Sequence, residues 1–185
     1  LHTKSAISGI KAAQSIAPDA MQVAVFDTSF HQTIEEENFI YPIPYEWYTE
    51  YNIRKFGYHG TSHKYVSSRV NEILGRYNTK VITCHLGNGA SVCAIEDGMC
   101  VNTTLGVSAN SGLMMGSRSG DLDPTIVTYM MNKLNVTPDE MSNILNKESG
   151  LLGVSGISSD SRDIEDGIKK GNSRCALAQK MFVRR

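Results

Sequence analysis

Several short stretches of this sequence combine residue types and spacings suited to holding an anion. In His85-Leu86-Gly87-Asn88-Gly89 two glycines flank an asparagine, which leaves backbone amides free to approach a negative group closely. A plain hairpin turn accounts for the same letters, although His85 closes an otherwise apolar run with a polar ring that a turn does not need. Arg118 lies within Gly116-Ser117-Arg118-Ser119-Gly120, an uncrowded loop from which a guanidinium can fork onto a phosphate or carboxylate, or simply face solvent. Asp27 follows the run Gln22 to Phe26, and an acid at a strand's carboxyl end serves either a ligand or a cap. Asp160-Ser161-Arg162-Asp163 reads equally as a helix cap with an ion pair and as a polar patch near a ribose. His59 and His63 stand four residues apart, but Gly60 lies between them and no glutamate accompanies them, so a zinc site of the paired-histidine kind is set aside.

The elements that position these groups follow from periodicity. Apolar residues at Ala6, Ile7, Ile10, Ala13, Ile16 and Ala17 predict a helix over 5–17, ended by Pro18-Asp19. Gln22 to Phe26 predicts a short buried strand, and Trp47, Tyr48 and Tyr51 a short aromatic helix. Thr61 or Ser62 as N-cap and Gly75 as stop predict a helix over 63–74. Val81 to His85, Ser91 to Glu96 and Met99 to Thr104 are β-rich runs separated by Gly87-Asn88-Gly89 and Asp97-Gly98, which predicts a three-stranded antiparallel meander. Asp121 and Asp123 read as helix-start acids before Pro124, and further helices are predicted from Pro138, near Ser161 and from Ser173. A βαβ unit, then a meander, then helices makes a mixed α/β chain.

Composition removes several function classes. With 18 basic and 19 acidic residues, the net charge of -1 excludes nucleic-acid or anionic-membrane binding driven by bulk charge. No apolar run approaches the ~18 residues of a membrane span. The four cysteines form no CxxC pair, which predicts neither a zinc cage nor a disulfide framework but reduced thiols in the cytoplasm. There is no GxxxxGK[ST], no GxGxxG after a strand, no GxSxG and no HExxH. Glycine turns with His, Arg and Asp, and no nucleophile constellation, favour phosphoryl transfer over acyl transfer.

Longer segments then carry a resemblance. Residues 25–33 (VFDTSFHQT), 56–66 (FGYHGTSHKYV), 84–91 (CHLGNGAS), 112–124 (GLMMGSRSGDLDP) and 146–156 (NKESGLLGVSG) together are similar to the acetate kinase family, in order and over essentially the whole chain. The resemblance implies the two-domain α/β fold shared by acetate and sugar kinases, heat-shock ATPases and actin (an RNase H-like, actin-like ATPase fold). Residues 1–28 would be the C-terminal part of the first domain. Residues 29–185 would be a truncated second domain containing the phosphate-binding meander. It further implies reversible, Mg²⁺- or Mn²⁺-dependent transfer from ATP to acetate, giving acetyl phosphate and ADP, in a cytoplasmic homodimer that binds neither nucleic acid nor membrane.

Carried over by motif, Asp27 resembles the family's active-site aspartate, and His59 and Arg118 its two transition-state stabilisers. His85, Leu86, Gly87, Asn88 and Gly89 resemble its ATP phosphate loop, and Asp160, Ser161 and Arg162 a nucleotide-contacting stretch. Leu1, His2, Tyr58 and Ala109 would surround the acyl substrate. Metal ligands are expected outside the chain, with Asp27 acting on Mg²⁺ directly or through its waters. The family's opening Leu-His-Asn-Pro is Leu1-His2-Thr3-Lys4 here, and its acyl-pocket Thr-Pro pair aligns with Ser108-Ala109. Propionate is the alternative acceptor, and an actin- or chaperone-like ATPase without an acyl acceptor is the alternative of a different class. The start at Leu1 and a helical pattern running to Arg185 read as part of a longer protein, so the 185 residues alone are expected not to catalyse the reaction.

Overall fold

The computed structural model describes residues 3–185, so the substrate roles expected for Leu1 and His2 lie outside the described residues. Helix α1 (Thr3–Ile16) forms where the apolar stripe predicts it. The segment after it does not become a strand. Residues 21–26 are irregular, and Met21, Val23, Val25 and Phe26 are exposed. A β-prone run needs a neighbouring strand to take its amides and carbonyls, and among the described residues none lies beside it. The predicted βαβ unit is therefore absent among the described residues. A 3₁₀ turn (Ser29–Thr33) and two short helices, α2 (Glu36–Phe39) and α3 (Glu46–Tyr51), lead on to the site.

Helix α4 (Gly60–Leu74) starts three residues earlier than predicted and ends at Gly75, whose φ of 63° provides the left-handed stop. Neither Thr61 nor Ser62 caps it. His59 takes the N-cap position in a left-handed conformation, with φ 60° and ψ 20°. The segment around Asp27 supplies the acceptors that a capping side chain would have given. Its carbonyl receives the Gly60 N–H at 2.8 Å, and its Oδ2 the His59 N–H at 3.3 Å. Gly60 permits this approach, since a Cβ there would lie 2.2 Å from the Asp27 carbonyl oxygen.

The sheet is the predicted antiparallel meander, ordered β1 (Lys80–Leu86), β2 (Ala90–Glu96), β3 (Met99–Thr103). Asp97 and Gly98 have φ of 51° and 80°, as a type I′ hairpin requires. Gly87, Asn88 and Gly89 avoid the left-handed region, so the first connection is not the Asn-Gly turn that its letters suggest. On β2, Ser91, Cys93 and Ile95 point inward. Cys93 and Ile95 pack with Ile34 and Cys100, and beneath the site Ala90 packs with Leu105 and Met115.

Five helices complete the described chain: α5 (Pro124–Leu134), α6 (Pro138–Lys147), α7 (Gly150–Ser155), α8 (Ser161–Lys169) and α9 (Ser173–Arg184). Prolines open α5 and α6 as predicted, and Asp123 caps α5 through the Thr125 N–H at 2.8 Å. Helix α7 has no periodicity long enough to announce it. Met114, Leu151, Ile164, Cys175 and Ala178 form the core that joins α7, α8 and α9. No helix among the described residues is long and apolar enough to cross a membrane.

Because Ile164 is fully buried there, Ile164→Ala should cost about 2–5 kcal/mol. Ile168→Ala, at a partly exposed position, should cost about 1 kcal/mol or less. Urea unfolding of the two variants measures the difference. Equal losses would mean that α8 is not anchored through Ile164.

Candidate functional site

The sheet turn, the start of α4 and the loop carrying Arg118 meet at Gly89. A Cβ built on Gly89 would lie 3.0 Å from Arg118 Nη1 and 3.5 Å from His59 Nε2. One point beside the phosphate-loop candidate thus lies near two side-chain nitrogens and is kept open by the missing side chain. Arg118 is steadied by donating from Nη1 to the Ala109 carbonyl at 2.9 Å. The turn is held from the other side by the Gly116 N–H, which donates to the Asn88 carbonyl at 3.2 Å. A Cβ on Gly116 would fall 2.1 Å from Asn88 Oδ1, so this contact too excludes a side chain.

His59 is held by its neighbours on two sides. Its ring stacks on His85 with centroids 4.0 Å apart, and its Nδ1 lies 2.9 Å from Ser91 Oγ. Ser91 Oγ is also 2.7 Å from His63 Nε2, and His63 Nδ1 is 2.7 Å from Thr83 Oγ1. His85 Nδ1 meets the Ser62 hydroxyl at 2.9 Å, which is where the expected capping side chain goes instead.

Tyr58 and Ala109 both pack on the cluster of Ala90, Leu105 and Met115, beside the Arg118 guanidinium. The Tyr58 hydroxyl donates to the Val107 carbonyl at 2.9 Å. On the far side of the turn, Leu86, Gly87 and Asn88 share a cavity of about 510 Å³ with Gly116, Ser159, Asp160 and Ser161. Asp160 caps α8 through the Arg162 N–H at 2.9 Å and pairs with the Arg162 guanidinium, which holds its carboxyl down at about 2. Asp160 and Ser161 therefore reach the cavity, while Arg162 turns to Asp160 and does not line it.

Residues 1–185 match the acetokinase family throughout. The chain belongs to that family. It is 51% identical over 185 residues to an acetate kinase of Finegoldia magna, covering 100% of this chain and 47% of that protein. It is 55% identical to acetate kinase 1 of Listeria monocytogenes, covering 99% of this chain and 47% of that protein. The chain thus spans about half the length of the curated relatives it matches. Among solved structures, an acetate kinase of Porphyromonas gingivalis superposes with a TM-score of 0.92 at 46% identity, over 97% of this chain and 45% of the other. A propionate kinase of Francisella tularensis gives a TM-score of 0.91 at 46% identity, over 95% of this chain and 46% of the other. The fold is the α/β fold of these two kinase structures.

Two sets of residues bear on metal binding in this chain. His31, Cys93 and Cys100 offer ligand atoms within 4.8 Å of one another, all buried. His31 Nε2 donates to the Tyr58 carbonyl at 2.9 Å, which leaves its Nδ1 to accept from the Cys100 thiol at 3.1 Å. The Cys93 thiol approaches Cys100 at 3.4 Å, and its hydrogen bond lowers the Cys100 pKa. These soft, mutually hydrogen-bonded groups do not suit Mg²⁺, which takes oxygen ligands. Asp27 does suit it: the carboxylate is exposed and offers oxygen beside His59.

The sequence points to neither Ser91 nor Thr83, and to His63 only through the paired-histidine spacing set aside for zinc. The available signal was a serine in the inward register of β2, alternating with Cys93 and Ile95, because a polar group facing a core requires a partner.

Burial holds the His59 imidazole well below its usual 6.5, at about 4, with His85 adding to the effect and Asp27 opposing it. Burial likewise brings His63 to about 4, reinforced by His31, His59 and His85. The unfolded chain takes up these two protons near pH 6.5 and the folded chain only near 4. Their contribution to stability is therefore complete above pH 6.5 and is lost as the pH falls toward 4. Proton NMR should show neither ring titrating between about pH 5.5 and 8, a window that lies more than a unit above 4 and brackets the usual 6.5. Midpoints near 6.5 would contradict the burial of both rings.

Proposed function

We propose that the protein bearing this chain transfers the terminal phosphoryl group of ATP directly to acetate, giving acetyl phosphate and ADP, and runs the reverse reaction through the same site. The observation that carries this reading is the open point beside Gly89, within reach of both Arg118 Nη1 and His59 Nε2. Such a point suits an oxygen of a transferring phosphoryl group, whose charge spreads over its equatorial oxygens in the transition state.

The nucleotide occupies the cavity beyond the turn, with Asp160 and Ser161 at its far wall and Gly87 and Asn88 at its phosphate end. Acetate sits with its methyl group on the surface formed by Tyr58 and Ala109 and its carboxylate toward Arg118. Acetate is already ionised at neutral pH, so no proton must be removed before it attacks. The site's task is placement and charge stabilisation. Arg118 supplies a permanent cation, and His59, neutral at pH 7, supplies a hydrogen-bond donor. Asp27 would hold Mg²⁺ or its waters, and the ion would neutralise phosphate charge.

A propionate acceptor is the second reading: Ala109 contributes a single methyl group to that apolar surface, where the resemblance would put a proline. One added methylene changes binding by about 0.8 kcal/mol, so the two acids would differ modestly. The ratio of kcat/KM for acetate and propionate decides between them. An ATPase without an acyl acceptor is disfavoured, because the apolar surface of Tyr58 and Ala109 beside Arg118 suits an acyl group. All four cysteines are free thiols, which supports a cytoplasmic location. A homodimer is part of the same proposal.

Two substitutions test the assignment in the enzyme bearing this chain. Arg118→Ala should lower kcat by about a hundredfold or more, as removal of one preorganised donor does elsewhere. Hydroxamate trapping of acetyl phosphate measures it, and near-native turnover would remove Arg118 from the mechanism. Asp27→Asn should raise the Mg²⁺ concentration needed for half-maximal rate and reduce turnover, without abolishing a basic limb of the pH profile. Loss of that limb with unchanged Mg²⁺ dependence would instead make Asp27 a general base.

A further inference from the structure

The four groups Thr83, His63, Ser91 and His59 form an unbroken chain of contacts of 2.7, 2.7 and 2.9 Å from the buried face of β1 to the open point at Gly89. We propose that Ser91, His63 and Thr83 are positioning residues that fix His59 in the tautomer carrying its proton on Nε2. The proposal rests on the reading of His59 as a donor to the transferring phosphoryl group.

Two directions of hydrogen bonding satisfy the chain's geometry. In one, Thr83 O–H donates to His63 Nδ1, His63 Nε2–H donates to Ser91, and Ser91 O–H donates to His59 Nδ1. His59 then presents an N–H at Nε2. In the other, every proton is reversed, and His59 presents a lone pair there. Thr83 decides between them. Its side chain is buried at 4% exposure, and among the described residues its hydroxyl meets only His63. The reversed chain would leave the Thr83 hydroxyl proton buried with no acceptor, which costs the full desolvation of a donor. The forward chain uses every buried donor it contains and leaves only the His59 Nε2–H free, at the open point beside Gly89. Ser91 is fully buried and His63 nearly so, which keeps water from breaking the relay.

The direction matters because a ring that accepts the Ser91 proton at Nδ1 carries its own on Nε2. A neutral ring donates from one nitrogen only, and a lone pair at Nε2 would repel a phosphoryl oxygen at the point shared with Arg118. Left-handed backbone at His59 and stacking on His85 fix where the ring lies, and the relay fixes which of its nitrogens bears hydrogen.

The experiment uses the full enzyme bearing this chain, with nitrogen-15 imidazole spectra to read tautomers and steady-state kinetics to read catalysis. In the unaltered protein, His59 should be the Nε2–H form. Thr83→Val, which keeps shape and removes the hydroxyl, should populate the Nδ1–H form of His59, as should Ser91→Ala. Each should lower kcat by about ten- to a hundredfold, as loss of an orienting partner does elsewhere, with KM for acetate and ATP little changed. Thr83→Ser should retain the native tautomer and rate. An Nδ1–H ring in the unaltered protein, or spectra unmoved in both Thr83→Val and Ser91→Ala, would overturn the relay. If the tautomers shift as expected but His59→Ala leaves kcat unchanged, the relay stands and the donor role of His59 falls.

Discussion

The hydroxyl of Ser91 lies fully buried between the imidazoles of His59 and His63, and the seating of α4 on the sheet follows from it. One ring precedes the helix and the other lies within its first turn, while the hydroxyls they meet belong to β1 and β2. Polar groups removed from water must find one another, so their pairing sets the helix's register against the strands more narrowly than apolar packing would. His85, opposite Ser91 in the ladder, then stacks on His59 and closes the arrangement.

Around that seat the backbone comes close because side chains are missing. Gly60 lets the carbonyl of Asp27 reach the start of α4, and Gly116 lets the Arg118 loop reach the β1–β2 turn. The same contacts join structure to chemistry. Asp27 is both the external cap of α4 and an exposed carboxylate beside His59, and Asp160 is both the cap of α8 and part of a cavity wall.

Much of this was legible in the sequence where the signal is local. Proline at the first turn marked α5 and α6, Asp-Gly marked one hairpin, and Gly75 marked the end of α4. The long segments carrying Asp27, His59, the phosphate loop and Arg118 marked the family. Local signals failed where partners decide the outcome. The run Gln22 to Phe26 has strand composition but no neighbour among the described residues, and Thr61 and Ser62 have capping side chains that the fold uses otherwise or not at all. The left-handed backbone of His59 has no sequence signature, since Gly60, the residue suggesting it, sits one position later. Ser91 was hidden in plain alternation, and its importance appears only when the rings from α4 arrive above it.

In these 185 residues by themselves, the irregular run from Met21 to Phe26 carries a cost unrelated to catalysis. Its residues are β-prone, uncharged, free of proline and exposed, which is the composition of segments that stack with copies of themselves into cross-β assemblies. Asp19 and Asp27 bracket it, one before and one after, as charged gatekeepers that make such stacking repulsive. Asp27, proposed above as the residue that holds Mg²⁺, thus also bears on the colloidal behaviour of these 185 residues.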